Sequence, residues 1–134
     1  MTEREELRVP GLPEPISHYT DAVRFGDLLL VSGCAPLDED GRLVAEGDIG
    51  GQTRQVLESM GRILRHAGAT FADVLKVTVF MTDVSQRREA NAVRRQFFGA
   101  ARPASTLIEV SALAVPGMLI EIEAIVGLPA PAGD

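Results

Sequence analysis

Glu121 sits in the middle of the alternating segment Met118–Val126, flanked by apolar residues. An ionised carboxylate is costly to bury there, so it either finds a cation or carries a raised pKa. The commoner outcome is a rim ion pair, here to Lys76 or to an arginine across a sheet or subunit boundary. The chemical alternative is a general acid/base, or a group that holds a water molecule. Cys34 follows Ser32-Gly33 at the end of an apolar run. A glycine at a strand end lets a ligand approach backbone N–H and C=O groups, although a small buried hydrophobe is the simpler reading of the thiol. Tyr19 is the sole tyrosine, and a lone tyrosine more often packs than reacts.

Other chemistries find less support. With one cysteine, and with His18 and His66 far apart, no metal-ligand spacing appears. His66 near a helix end suits charge complementation. Gly50-Gly51 lacks the Lys-Ser/Thr that completes a phosphate loop, and no serine sits in a nucleophile-elbow context. The expected site therefore works with polar groups and water, without metal or cofactor.

These residues must be positioned by a small number of elements. Leu28-Leu29-Leu30-Val31 reads as a short strand buried on both faces. Asp38-Glu39-Asp40-Gly41 is turn chemistry leading into a return strand at Arg42-Leu43-Val44. Asp48 is a good N-cap for a helix reaching about Ala67, with Val56, Leu57, Met60, Ile63, Leu64 and Ala67 on one stripe and Gly68 just past the end. From Asp73 to Asp83 the period becomes two, placing Leu75, Val77, Val79 and Met81 on one face. Ser85 is expected to cap a second helix running to about Phe98, with Ala90, Val93, Arg94 and Phe97 at helical spacing. Thr106–Val110 and Met118–Val126 complete the strands. In the last of these, Met118, Ile120, Ile122, Ala124 and Val126 alternate with Leu119, Glu121, Glu123 and Ile125. Helices packed on one side of the strands give an α+β fold. The other sheet face, half apolar and half acidic, is expected to meet another subunit.

The 134 residues suffice for one core, with residues 1–15 and 128–134 expected as loosely held tails. A formal charge of −6 and six aromatic residues without tryptophan disfavour nucleic acid. No apolar run approaches the roughly 20 residues of a membrane span. One cysteine and an acidic, leader-free start imply a reducing compartment, the cytoplasm.

Taken in series, five stretches resemble the RidA/YjgF family of reactive-intermediate deaminases. They are Tyr19-Thr-Asp-Ala-Val, Asp27-Leu-Leu-Leu-Val-Ser-Gly, Gln52-Thr-Arg-Gln-Val-Leu-Glu, Asp73-Val-Leu-Lys-Val-Thr-Val-Phe-Met-Thr-Asp, and Arg102-Pro-Ala-Ser-Thr through Ile120-Glu-Ile-Glu-Ala-Ile. The resemblance implies a chorismate-mutase-like fold, a homotrimer whose sheets face the interior, and small-molecule clefts between subunits. It matches Tyr19, Ser32, Gly33 and Asn91 to cleft positions and Glu121 to a water-holding glutamate; Ser32, Gly33 and Ser105-Thr106 would hold polar substrate groups, and Tyr19, His18 and Cys34 would shape the cavity. Ser17-His18 replaces the family's Gly-Pro. The family's Pro-Ala-Arg-Ser becomes Pro103-Ala104-Ser105-Thr106, so Ser105 stands where an arginine grips a substrate carboxylate. Ungapped spacing from Glu109-Val110 leaves Arg102 unable to fill that position directly. Either the ligand lacks a carboxylate there, or another arginine (Arg24, Arg94 or Arg102) reaches in from a neighbouring subunit. The implied activity is hydrolysis of an imine or enamine. A non-catalytic ligand-binding trimer is the alternative, and RNA cleavage a weaker one.

Overall fold

The structure, a computed structural model, describes residues 3–130. Six strands and two helices follow the chain: β1 (Arg4–Leu7), β2 (Ala22–Phe25), β3 (Leu28–Cys34), α1 (Ile49–His66), β4 (Val74–Met81), α2 (Arg87–Phe98), β5 (Ala104–Glu109) and β6 (Ile120–Gly127). The strands form a sheet in the order β1-β2-β3-β6-β4-β5. Only β4 and β5 run parallel, and α2 is the crossover between them. Both helices cover one face, making the α+β architecture expected from the periodicities.

Helix α1 has the predicted limits. The Asp48 side chain accepts from the Gly51 N–H at 3.1 Å, and Arg65 and His66 lie in the last turn. Its apolar stripe packs on Leu29, Val31, Ile120, Ile122 and Val126 to make the core. One polar residue shares the stripe. Gln52 is fully buried; it donates to the Gly117 carbonyl at 3.0 Å and accepts from the Leu119 N–H at 2.7 Å. The loop entering β6 is thereby tied to α1, two residues before Glu121.

Several expectations are corrected. Residues 1 and 2 of the expected N-terminal arm lie outside the described part, but the segment from Arg4 is no loose arm: β1 pairs antiparallel with β2, and Val9 is buried. The cause is Asp21, a buried carboxylate that accepts from the Val9 N–H at 2.8 Å and from Arg8 Nε at 3.1 Å. Of the expected C-terminal tail, residues 131–134 lie outside the described part, and the Leu128 N–H donates to the Asp27 carbonyl at 2.7 Å. β3 is buried on one face only, with Leu28 at 43% and Leu30 at 46% exposure, because nothing among the described residues covers the second face. Arg42-Leu43-Val44 is reduced to a single bridge, Leu43 to Leu37. Leu75 leaves the core face because the β4–β6 register shifts between Val74 and Lys76, so Val74 takes its place. Ser85 does not cap α2. It belongs to a single 3-10 turn, Val84–Gln86, whose capping side chain is Asp83, accepting from the Ser85 N–H at 2.9 Å.

Replacing Gln52 with alanine strands the Leu119 N–H and Gly117 C=O. The expected loss is about 1–3 kcal/mol, measured as a lower urea midpoint at fixed protein concentration with an unchanged slope.

Candidate functional site

The end of β3 and the start of β6 lie side by side. Val31 pairs with Ala124 and Cys34 with Ile122, so Ser32 and Gly33 fall in a register shift between them. Glu121 rests against this irregular turn of backbone. A Cβ placed on Gly33 would overlap the Glu121 carboxylate, lying 2.7 Å from its Cδ. The close approach comes from the side-chain end of Glu121, so a side chain at position 33 would push that carboxylate out of its present place.

Polar groups hold the neighbouring segment in place. Ser32 Oγ donates to the Thr20 carbonyl at 2.5 Å, the Ser32 N–H donates to Asp21 C=O at 3.0 Å, and the Tyr19 hydroxyl accepts from the Ile16 N–H at 3.3 Å. Tyr19, Ser32, Gly33, Leu37 and Met118 line an open cavity of about 380 Å³ together with Glu121 and Glu123. The volume suits a small molecule.

Glu121 is half-buried, and among the described residues no cation lies within ion-pair distance of it. Lys76, its prospective partner in this chain, donates to Thr106 Oγ1 at 2.6 Å instead. Partial desolvation, and secondarily the charge of Glu123, raise the Glu121 pKa above the ordinary 4.5. Cys34 points the other way, into the core, where burial first and the Glu121 charge second push its thiol up to about 12. At neutral pH it is no nucleophile. His18 is exposed and does not line the Glu121 cavity. No group of three or more His, Cys, Asp or Glu side chains among the described residues is placed to hold a metal ion.

The remaining sequence candidates gather elsewhere. β5 pairs Ser105 with Val77 and Thr106 with Thr78. Since Val77 faces the core, Ser105 projects from the helix-covered side, whereas Thr106 meets Lys76 on the open side. Asn91 lies on α2, half-buried, beside a separate cavity that also includes Arg94 and Arg102. Tyr19, Ser32, Gly33 and Glu121 thus form one group, and Asn91 and Ser105 a second. The two groups occupy opposite faces of the same sheet.

Comparison with known proteins decides the family. A family model described as Endoribonuclease L-PSP matches residues 11–128. The chain belongs to the RidA/YjgF family. A RutC family protein of Pyrococcus horikoshii is 40% identical over 122 residues, covering 91% of this chain and 96% of that protein. The 3-aminoacrylate deaminase RutC of Acinetobacter baylyi is 36% identical over 122 residues, covering 90% and 96%. A solved structure from the Rid protein family of Yersinia pestis superposes with a TM-score of 0.88 at 35% identity, over 94% of this chain and all of that one.

Two participants in this RidA/YjgF chain escape a reading of residue types. Glu123 contributes to the Glu121 environment through strand alternation alone, which places i and i+2 on one face. Gln52 carries a visible signal, a polar residue four positions before Val56 on the apolar stripe.

The Glu121 carboxyl resonance is expected to titrate above pH 4.5, and Glu123→Gln to lower that midpoint. The folded state favours protonated Glu121. It therefore contributes stability that is present below about pH 4.5 and is lost as pH rises through the raised midpoint. Carbon-13 NMR of the two proteins, with melting curves across pH, checks both statements.

Proposed function

We propose that this protein hydrolyses the C=N bond of a small imine, formed directly or by tautomerisation of an enamine, in clefts between the subunits of a homotrimer. The observation that carries the reading is Glu121, a half-buried carboxylate with no cation within ion-pair distance among the described residues, held against Gly33 in a cavity of small-molecule size. A raised pKa brings a carboxylate nearer to neutral pH, where it both takes and returns protons efficiently.

Glu121 accepts a proton from a water molecule as the water oxygen attacks the imine carbon. The C=N π electrons move to nitrogen, giving a carbinolamine. Glu121 passes that proton to the nitrogen, then takes the proton of the new hydroxyl and delivers it to the same nitrogen as the C–N bond breaks; the O–H electron pair forms the C=O bond, and ammonia and a carbonyl compound leave. Every proton taken is returned, so no oxidant, metal or covalent enzyme intermediate is required. Ser32 and Gly33 present the polar edge of the cavity, and Tyr19 closes its rim. The activity in the name of the Acinetobacter baylyi relative, deamination of 3-aminoacrylate, belongs to this reaction class. A formal charge of −6 opposes the phosphate backbone of RNA, which weighs against RNA cleavage here.

The trimer is supported by the open sheet face. Phe25, Leu28, Leu30, Ile108 and Ile125 are each at least 39% exposed. An apolar array of this kind is typical of a surface covered by another chain. It also supplies what one subunit lacks, since the two groups of candidate residues lie on opposite faces.

The test uses imino acids generated in situ by an amino-acid oxidase, following the rate of imine disappearance. The native protein is expected to accelerate the loss, and Glu121→Gln to reduce kcat by roughly 10²–10⁴-fold while leaving the fold intact by circular dichroism. Unchanged activity in Glu121→Gln contradicts the mechanism. A native protein that binds but never converts such compounds is a ligand-binding trimer instead.

A further inference from the structure

Arg94 is the unusual cation of this chain. It rises from α2 beside β5, half-buried, with Nη2 donating to Ser105 Oγ at 3.3 Å and Nη1 to Asn91 Oδ1 at 3.4 Å. Both acceptors are neutral. The ion pairs among the described residues join Arg4 to Glu6 and Arg8 to Glu14 and Asp21; none includes Arg94. Burial lowers its pKa below the ordinary arginine value, which means that the charged form is desolvated without a counter-charge to offset the cost. The adjoining cavity, about 240 Å³, is lined by Asn91, Arg94, Arg95, Phe98 and Arg102 among others, and by no acidic side chain. In a protein of net charge −6, this is a local concentration of positive charge with room beside it for a ligand.

We propose that Arg94 is a carboxylate-binding residue, and that a small carboxylate ligand occupies this cavity with Ser105 and Asn91 fixing the guanidinium plane. A planar guanidinium matches a carboxylate with two parallel hydrogen bonds. A singly charged ligand fits better than phosphate, because α2 ends at Phe98 and its C-terminal carbonyls bring partial negative charge to the same cavity. The serine at position 105 then has a physical reason. A long cation in its place would oppose Arg94 at close range, whereas a hydroxyl accepts from it. The cation is supplied by the helix instead of the strand.

This assignment deepens the imine-hydrolase reading and rests on it for the ligand's other end, the C=N carbon, which a neighbouring copy's cleft would present to Glu121. The binding step itself is testable alone. Pyruvate is the probe, a stable 2-oxo acid of the shape a hydrolysed 2-imino acid leaves, and pyruvamide is its neutral counterpart. Titrated calorimetrically into the native protein, pyruvate is expected to bind at least tenfold more tightly than pyruvamide. Arg94→Gln should weaken pyruvate at least tenfold and leave pyruvamide unchanged, and adding Ser105→Arg to that variant should restore pyruvate binding. Equal binding of pyruvate and pyruvamide by the native protein overturns the proposal without any variant having to fold. So does native affinity in folded Arg94→Gln, or tighter binding of inorganic phosphate than of pyruvate. Glu121→Gln separates the two readings. If it hydrolyses imines normally while Arg94→Gln loses pyruvate, the catalytic reading fails and the binding site stands.

Discussion

The position of Glu121 follows from how β6 is clamped. This strand is paired on both sides, with β3 and with β4, and its alternate residues Ile120, Ile122, Ala124 and Val126 are almost wholly buried under α1. Strand geometry then leaves Glu121, Glu123 and Ile125 no choice but the opposite face. A slip of one residue would drive two carboxylates into the core, which no register error of a few kcal/mol could accommodate. The apolar half of the strand therefore fixes the acidic half. Gln52 reinforces this from the helix side by setting where the strand begins. On the facing strand the shift at Ser32-Gly33 removes the one Cβ that would displace the carboxylate.

Much of this was legible in the sequence. Period two over Met118–Val126 separated the core side of β6 from the side bearing Glu121, and the stripe from Val56 to Ala67 with Asp48 before it placed α1 within a residue. What failed depended on contacts distant in sequence. The N-terminal segment looks loose because of Pro10, Gly11 and Pro13, yet it is held at Arg8 and Val9 by Asp21, 13 and 12 residues away, and nothing local announces that carboxylate's role. The bulge that expels Leu75 is invisible because its cause is register against β6. The run from Leu28 to Val31 looked doubly buried because hydrophobicity reports that a face avoids water, without saying whether this chain or another one covers it.

The two candidate groups illustrate the same limit. Ser105 and Thr106 are adjacent in sequence and were read together, but adjacency in a strand means opposite faces. Thr106 joins Lys76 on the open face, and Ser105 joins Arg94 under the helices. Conversely, Asn91 and Ser105 are brought to one cavity by the α2 crossover between β4 and β5. A site that needs both Glu121 and Arg94 cannot be completed by one chain, since the sheet stands between them. The proposed chemistry would then require a second copy, and the same copy would cover the exposed apolar surface of the open sheet face.

Subunit mixing tests that claim most directly. Glu121→Gln and Arg94→Gln proteins are each prepared alone, then dissociated, combined in equal amounts and reassembled, and imine hydrolysis is followed. If each cleft takes Glu121 from one subunit and Arg94 from its neighbour, roughly a quarter of the clefts in random trimers regain both groups, and at substrate concentrations well below the native KM the activity rises above that of either parent. Mixed trimers no more active than their parents, with exchange of subunits verified by mass spectrometry, would contradict a site shared between copies.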